Sequence, residues 1–360
     1  MYSGSVTLTT DTVLPVLLLA DKYGLPALGQ TCVDYMLHHV VENPDTNRTL
    51  SWYQYAKMTA NTLLVDKCRK FILSNFDIIL KTADWINLSQ QEVVEFVSSS
   101  DLVVSDEFHL WQRVENWFSS DATRCTCPKH IQEVVSLLHF TMIPPKQLLQ
   151  VERSPLYQEH AEAFADKLHR AYRHHSLLLD NVDVACSKER FRNYTDDMYG
   201  LSTKLGLLSY KFAEMHDGKI VKQMKIPYTF VAVGELGEKG NSIDVEVVLW
   251  AKGAFKGFSW YGSLSENVSM SVRMLGKRKE HVTVGITFIV YGKKNNVRYV
   301  AFSSTNRHTF SNANHVFVED NLIPLAKLKE DKSPYLIHGN FEARIFIKVE
   351  EVCIQTQNNP

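Results

Sequence analysis

An array of short helices followed by an antiparallel β-sandwich is the fold class this sequence predicts, and three observations predict it. Up to about residue 180 the apolar residues recur at spacings of three and four, which places them on one face of a helix. From about residue 198 they alternate with polar residues, which places them on one face of a strand. Between these halves Asn181 to Asp197 is polar and reads as a linker.

In chain order, Ser3 to Leu8 reads as a strand and a first helix begins near Asp11, whose carboxylate can cap exposed amides, and stops at Gly24. Pro26 opens a second helix, where its missing amide proton does no harm, and Leu28, Cys32, Tyr35, Met36 and His39 share a face until Asn43-Pro44 ends it. Leu64, Cys68, Phe71, Ile72, Phe76 and Ile79 trace one continuous apolar stripe. Ser89 to Glu92 has the pattern of a capping box. Leu110, Trp111, Val114, Trp117 and Phe118 form a stripe whose tryptophans belong in a core. Further helices are expected at His130 to Leu138, at Lys146 to Val151 and from Ser154-Pro155 to about Leu178, with no strand among them.

The second half alternates at Ile243 to Leu249, Val268 to Met274, Val282 to Val290 and Phe341 to Val349, with further candidates at Leu207 to Phe212, Lys222 to Val233 and Val297 to Ser303. That is about seven strands, enough for an antiparallel sandwich. A short helix is expected near Leu322 to Leu328.

Composition limits the function. With 45% hydrophobic and 22% charged residues, the 360-residue chain is in the ordinary globular range. A net charge of -1 gives no reason to expect nucleic acid as a partner. No apolar run approaches the ~18 residues of a membrane span, and Tyr2 to Thr12 has neither the basic start nor the apolar middle of a secretory leader.

No catalytic set is legible. Gly234 to Gly240 is glycine-rich, but its glutamates would repel phosphate, so it reads as a turn between strands. Cys125, Cys127 and His130 lack the further ligands of a zinc site, and the histidines of His169 to His175 are not four apart. Neither a cofactor nor a metal is expected. Of six cysteines, Cys32 and Cys68 read as buried thiols, and Cys186 and Cys353 bracket the second half, which a disulfide between them would close in an oxidising compartment. Four sequons offer glycosylation candidates at Asn47, Asn87, Asn193 and Asn267. Of these, Asn193 in the linker and Asn267 near a strand start are placed to reach solvent.

Several stretches carry a family resemblance. Tyr2-Ser3-Gly4, Leu19 to Tyr23 and Leu28 through Cys32 to Tyr35 resemble the closing third of a BTB/POZ domain. Asn47 to about Tyr157 resembles a BACK domain, notably at Asp101 to Val104, Asp106-Glu107 and Val114 to Phe118. Phe140 to Pro145, with Leu148-Leu149 and Tyr157, brings it nearest to the galectin-3-binding-protein-like group. Phe317, Leu322 to Leu325, Tyr335-Leu336 and Phe341 to Val349 are similar to the closing part of a TRAF-like or MATH-like sandwich. The resemblance divides the chain into a BTB remnant (1–43), a BACK-like domain (44–180), a linker (181–197) and a TRAF-like sandwich (198–355).

What the resemblance implies is a non-catalytic scaffold that binds other proteins, like the secreted glycoproteins of that group. The alternative is a cytoplasmic adaptor that delivers substrates to a cullin-RING ubiquitin ligase through a peptide-binding sandwich. It further implies homo-oligomerisation of full-length relatives, impaired here because the earlier BTB strands and helices are missing. An apolar face of Leu17, Leu18, Tyr23 and Leu28 is then expected to lack partners, leaving the chain before about residue 40 prone to aggregation or disorder.

Overall fold

The computed structural model describes residues 5–39, 48–179, 192–196, 208–211, 219–227, 242–251, 255–256, 263–264, 266–276, 280–294 and 296–354. Its helical half runs α1 (Val13–Lys22), α2 (Pro26–His39), α3 (Thr49–Met58), α4 (Thr62–Ser74), α5 (Phe76–Ile79), α6 (Ala83–Ile86), α7 (Gln90–Val97), α8 (Glu107–Ser119), α9 (Pro128–Ser136), α10 (Pro145–Glu152) and α11 (Pro155–Leu179). The stripes read from the sequence form one core, in which Trp52, Trp85, Trp111 and Trp117 are all buried. Each large apolar side chain so buried contributes roughly 1.5–3 kcal/mol. Two of the indoles also satisfy their N–H groups, Trp85 on the Arg113 carbonyl at 3.0 Å and Trp117 on that of Leu88 at 2.9 Å. At the start of α7, the Ser89 hydroxyl accepts from the Glu92 amide while the Glu92 carboxylate accepts from the Ser89 amide.

The N-terminal expectations need correction. Residues 5–8 form no strand, since no described strand lies beside them to supply the ladder bonds. Asp11 does not cap α1. It faces Arg48 at 3.4 Å, and Thr9 and Thr12 close the turn on each other's amides and hydroxyls. Gly24, at φ +64°, ends α1 as expected. Leu17 is buried and Leu28 packs on the core, so the expected apolar face is half covered, while Leu18 and Tyr23 remain exposed. The Tyr55 hydroxyl also bonds the Asp21 carboxylate, so α1 and α2 are joined to the helices that follow.

A strand pair interrupts the helices. β1 (Val103–Val104) pairs in parallel with β2 (Asn193–Tyr194), within the stretch expected to be linker. Residues 192–194 are buried, so this part of 181–197 belongs to the helical core.

The second half comprises β3 (Leu208–Lys211), β4 (Lys219–Pro227), β5 (Ser242–Trp250), β6 (Phe255–Lys256), β7 (Ser263–Leu264), β8 (Asn267–Met274), β9 (Glu280–Lys294), β10 (Val297–Phe310), β11 (Val316–Pro324), α12 (Leu325–Leu328) and β12 (Asn340–Ile354). Two four-stranded sheets, ordered β10-β9-β12-β3 and β11-β8-β5-β4, pair antiparallel throughout and enclose a core of alternating residues such as Val245, Val272, Ile286 and Ile345. β11 was not among the alternating runs, because Glu319-Asp320-Asn321 interrupts its pattern at a register shift, and the expected helix keeps only Leu325 to Leu328. The glycine-rich run 234–240 lies outside the described residues.

Candidate functional site at the seam between the halves

Two elements of the helical half lie against the sheet that contains β10, β9 and β12. Asn75 carries the first contact. The stripe from Leu64 to Ile79 breaks at this residue (φ -121°), which separates α4 from α5. Its side chain then serves as a missing strand for the edge of β10. Oδ1 accepts from the Val300 amide at 2.6 Å and Nδ2 donates to the Val300 carbonyl at 3.2 Å, with a further bond to the Phe71 carbonyl at 3.2 Å. A buried edge strand must satisfy these groups, and a primary amide matches a peptide unit in both donor and acceptor. Ser74 adds a hydroxyl bond to Ser303 at 2.8 Å.

The second contact is built by residues 192–196. Arg192 and Glu107 form a fully buried ion pair at 3.0 Å. The remaining guanidinium donors reach the carbonyls of Val97, Ser99 and Leu137, each at 2.7 Å. Glu107 also accepts from the Tyr194 hydroxyl at 2.6 Å and the His139 amide at 2.8 Å. Burial alone would push this carboxyl up, but Arg192, then His139 and Tyr194, outweigh it and hold Glu107 below its ordinary value. With residues 192–196 fixed, the Thr195 carbonyl accepts from Arg344, and Lys348 donates to the Ser100 carbonyl at 2.8 Å. Burial drives the Lys348 ammonium down to about 8, against the pull of Asp101 and Glu350. Val103, Ile289, Tyr291, Val300, Ile337 and Phe346 form a separate apolar cluster in the seam.

Two crevices flank the Asn75–Val300 bridge. One, of about 210 Å³, is bounded by Asp77, Thr195, Tyr291, Arg298, Tyr299 and Arg344. Its charges are largely matched: Arg298 pairs with Glu342 at 3.0 Å and lies 3.7 Å over the Tyr291 ring, and burial raises the Asp77 carboxyl despite a bond from the Ser105 backbone. The other, of about 230 Å³, lies between α4 and β10, with Tyr335 at its rim. Gly292 allows the Tyr335 loop to lie this close, since a Cβ there would sit 2.2 Å from the Pro334 carbonyl. Among the described residues no histidine or cysteine lines either crevice, so these residues set no nucleophile beside an imidazole base.

The residues singled out in the sequence do not converge. Asn87 is exposed, with the following sequon serine held in its capping box. Asn267 is half-buried and donates to the Asn321 side chain at 2.9 Å. Asn193 does not reach solvent as expected: it is fully buried, and its amide nitrogen, the atom a glycan would join, donates to the Asp101 carbonyl at 3.0 Å. Asn47 and Cys186 lie outside the described residues, whereas Cys353 is opposite His281 in the β12–β9 ladder. Cys32 and Cys68 are buried, and burial pushes the Cys68 thiol up to about 12. Among the described residues, no three His, Cys, Asp or Glu side chains are grouped to hold a metal.

Comparison with known proteins agrees with this two-part architecture. Residues 49–153 match the family model BACK, described as BTB And C-terminal Kelch, and residues 189–356 match the BTBD17 TRAF domain. The helical half is therefore similar to a BACK domain and the sheet half to a TRAF domain. The chain is a homologue of BTB/POZ domain-containing protein 17 and of galectin-3-binding protein. To the first it is 28% identical over 204 residues in Xenopus tropicalis (55% of this chain, 43% of that protein) and 30% over 178 residues in Homo sapiens (49% and 36%). To galectin-3-binding protein of Rattus norvegicus it is 27% identical over 199 residues (55% and 33%). The chain spans less than half the length of these curated relatives. No described helix is long and apolar enough to cross a membrane.

Proposed function

We propose that this chain is a non-catalytic protein-interaction scaffold of the galectin-3-binding-protein-like kind, in which the BACK and TRAF domains act as one rigid docking body. The seam carries this reading. Asn75 on the edge of β10 and Lys348 on Ser100 join the two domains through polar bonds, and Arg344 on Thr195 ties the sheet to the segment whose Arg192 enters the helical core, which fixes their surfaces relative to one another. One relative's name states that it binds galectin-3. For this chain we extend only the class: a glycoprotein that acts outside the cell, with Asn87 and Asn267 as its glycan acceptors and a Cys186–Cys353 bridge closing the sandwich. The adaptor reading is less favoured, because the BACK domain already occupies part of the β10 edge, where an extended peptide would have to pair.

Capture of partners by the tagged chain, in parallel from culture medium and from cytosol, tests the reading. Reproducible cross-linked partners from medium, lost when Asn75 and Lys348 are replaced together, are the expected result. Capture of cullin-ligase components from cytosol alone would overturn it, as would turnover of any substrate.

A further inference from the structure

The crevice between α4 and β10 differs from its neighbour in charge. Lys67 and Lys70 from α4 line it together with the hydroxyls of Ser74 and Ser303, the Phe302 ring and Tyr335, and among the described residues no carboxylate lines its wall. Among the described residues no ion pair engages either lysine, whereas the arginines of the other crevice are bound to Glu342 and the Thr195 carbonyl. The Lys70 ammonium is fixed 5.7 Å over the Phe302 ring, across the seam from its own helix. Partial desolvation of a side chain that stays exposed, and then the charge of Lys67, pull Lys70 below its ordinary value. Along the same wall the register between β10 and β9 slips from Val300 to Phe302, so Ala301 has no cross-strand partner.

We infer that this crevice receives the carboxylate side chains of an extended acidic segment on a protein partner. Lys67 and Lys70 stand three residues apart on α4, as separate point charges that can each take one carboxylate. We favour carboxylates over a phosphoryl group because, among the described residues, no arginine lines the crevice to fork onto phosphate oxygens, and the two lysines are separate point charges. Acidic residues spaced along an extended chain reach both lysines through their side chains, with no ladder bonds to β10, whose Val300 groups Asn75 already holds. The assignment rests on the scaffold reading and names the partner's chemistry.

Fluorescence anisotropy with the full chain tests it, using three labelled decapeptides: alternating glutamate and threonine, its glutamine counterpart, and a version with a single phosphoserine in place of the glutamates. The glutamate peptide is expected to bind best and to weaken with salt. The Lys67→Gln/Lys70→Gln pair is expected to lose affinity about tenfold or more, and Lys67→Arg/Lys70→Arg to keep it within about threefold. Melting curves check that each variant is folded, and Lys222→Gln/Lys329→Gln, at two exposed positions away from the crevice, serves as a charge-matched control. Equal binding of the glutamate and glutamine peptides, an unchanged Lys67→Gln/Lys70→Gln variant, or preference for phosphoserine would overturn the assignment. If the wild-type chain captures partners from medium and the glutamate peptide still does not bind, the crevice assignment fails alone. If capture fails as well, the scaffold reading fails with it.

Discussion

Replacing Glu107 by glutamine keeps the shape of the buried cluster around Arg192 and removes its negative charge. Arg192 then stays cationic at 1% side-chain exposure, held by three carbonyl dipoles but by no counter-ion. Removing one partner of a buried pair costs about 3–5 kcal/mol. The His139 amide and the Tyr194 hydroxyl donate to different carboxylate oxygens, so the single glutamine oxygen keeps one of these bonds and its amide nitrogen faces the other group; at least the lower end, about 3 kcal/mol, is expected. At about 2–4 °C per kcal/mol for a unit of this size, E107Q should melt roughly 6–12 °C below wild type at neutral pH. The pH dependence follows from the depressed folded pKa. The pair's contribution is complete above the ordinary glutamate value of 4.5 and is lost as pH falls through the lower folded value. Melting curves of both proteins across the acid range should therefore converge. A variant that melts within about 1 °C of wild type at neutral pH, or a gap that persists undiminished to about pH 3, would refute the reasoning.

Asn75→Ala should leave the buried Val300 amide and carbonyl unpaired, at about 1–3 kcal/mol per group before water enters from the crevices. Hydrogen exchange at Val300 should speed up selectively, and Asn75→Asp should rescue little, since its carboxylate faces the Val300 and Phe71 carbonyls. Lys348 gives the same sign of pH dependence as Glu107, in an alkaline window instead of an acidic one. With a folded value of about 8 against an ordinary 10.5, the unfolded chain binds the extra proton, so wild type should gain stability as pH rises through that window relative to Lys348→Met. Differential scanning calorimetry of the two proteins at pH 7 and pH 10 checks this. In secreted material, mass spectrometry should find Asn193 unmodified and Asn87 glycosylated, because Asn193 is buried with its amide nitrogen bonded to the Asp101 carbonyl and Asn87 is an exposed residue. Full occupancy at Asn193 would contradict its buried placement.

Local periodicity was enough to read most of the fold. Val282 to Val290 and Phe341 to Val349 face one core and alternate except at Ile289 and Phe346, which belong to the seam cluster, and the indoles at positions 111 and 117 share a stripe, so neighbours in sequence disclose the element. The seam is a different matter. Asn75 sits inside an apolar stripe that reads as one helix, and only Val300, 225 residues away, gives its amide a purpose. An asparagine at that place was the available signal, because it is a common helix terminator. Arg192 and Asn193 lie in a polar stretch whose composition resembles that of any linker, and their burial depends on Glu107 and Asp101, about ninety residues earlier. The lysines of the crevice look like a solvated helix face until β10 is laid beside them.

The parallel pairing of β1 with β2 has a consequence for how this chain can be divided and synthesised. Glu107 precedes Arg192 by 85 residues, so a growing polypeptide carries an unmatched acid in its first core until the ribosome has released the far side of that pairing. The family match to the helical part ends at residue 153, ahead of both α11 and the arginine. The shortest fragment able to close its own interior therefore runs through Asp196, and cleavage at the matched boundary would yield a piece that begins to fold around an acid it cannot neutralise.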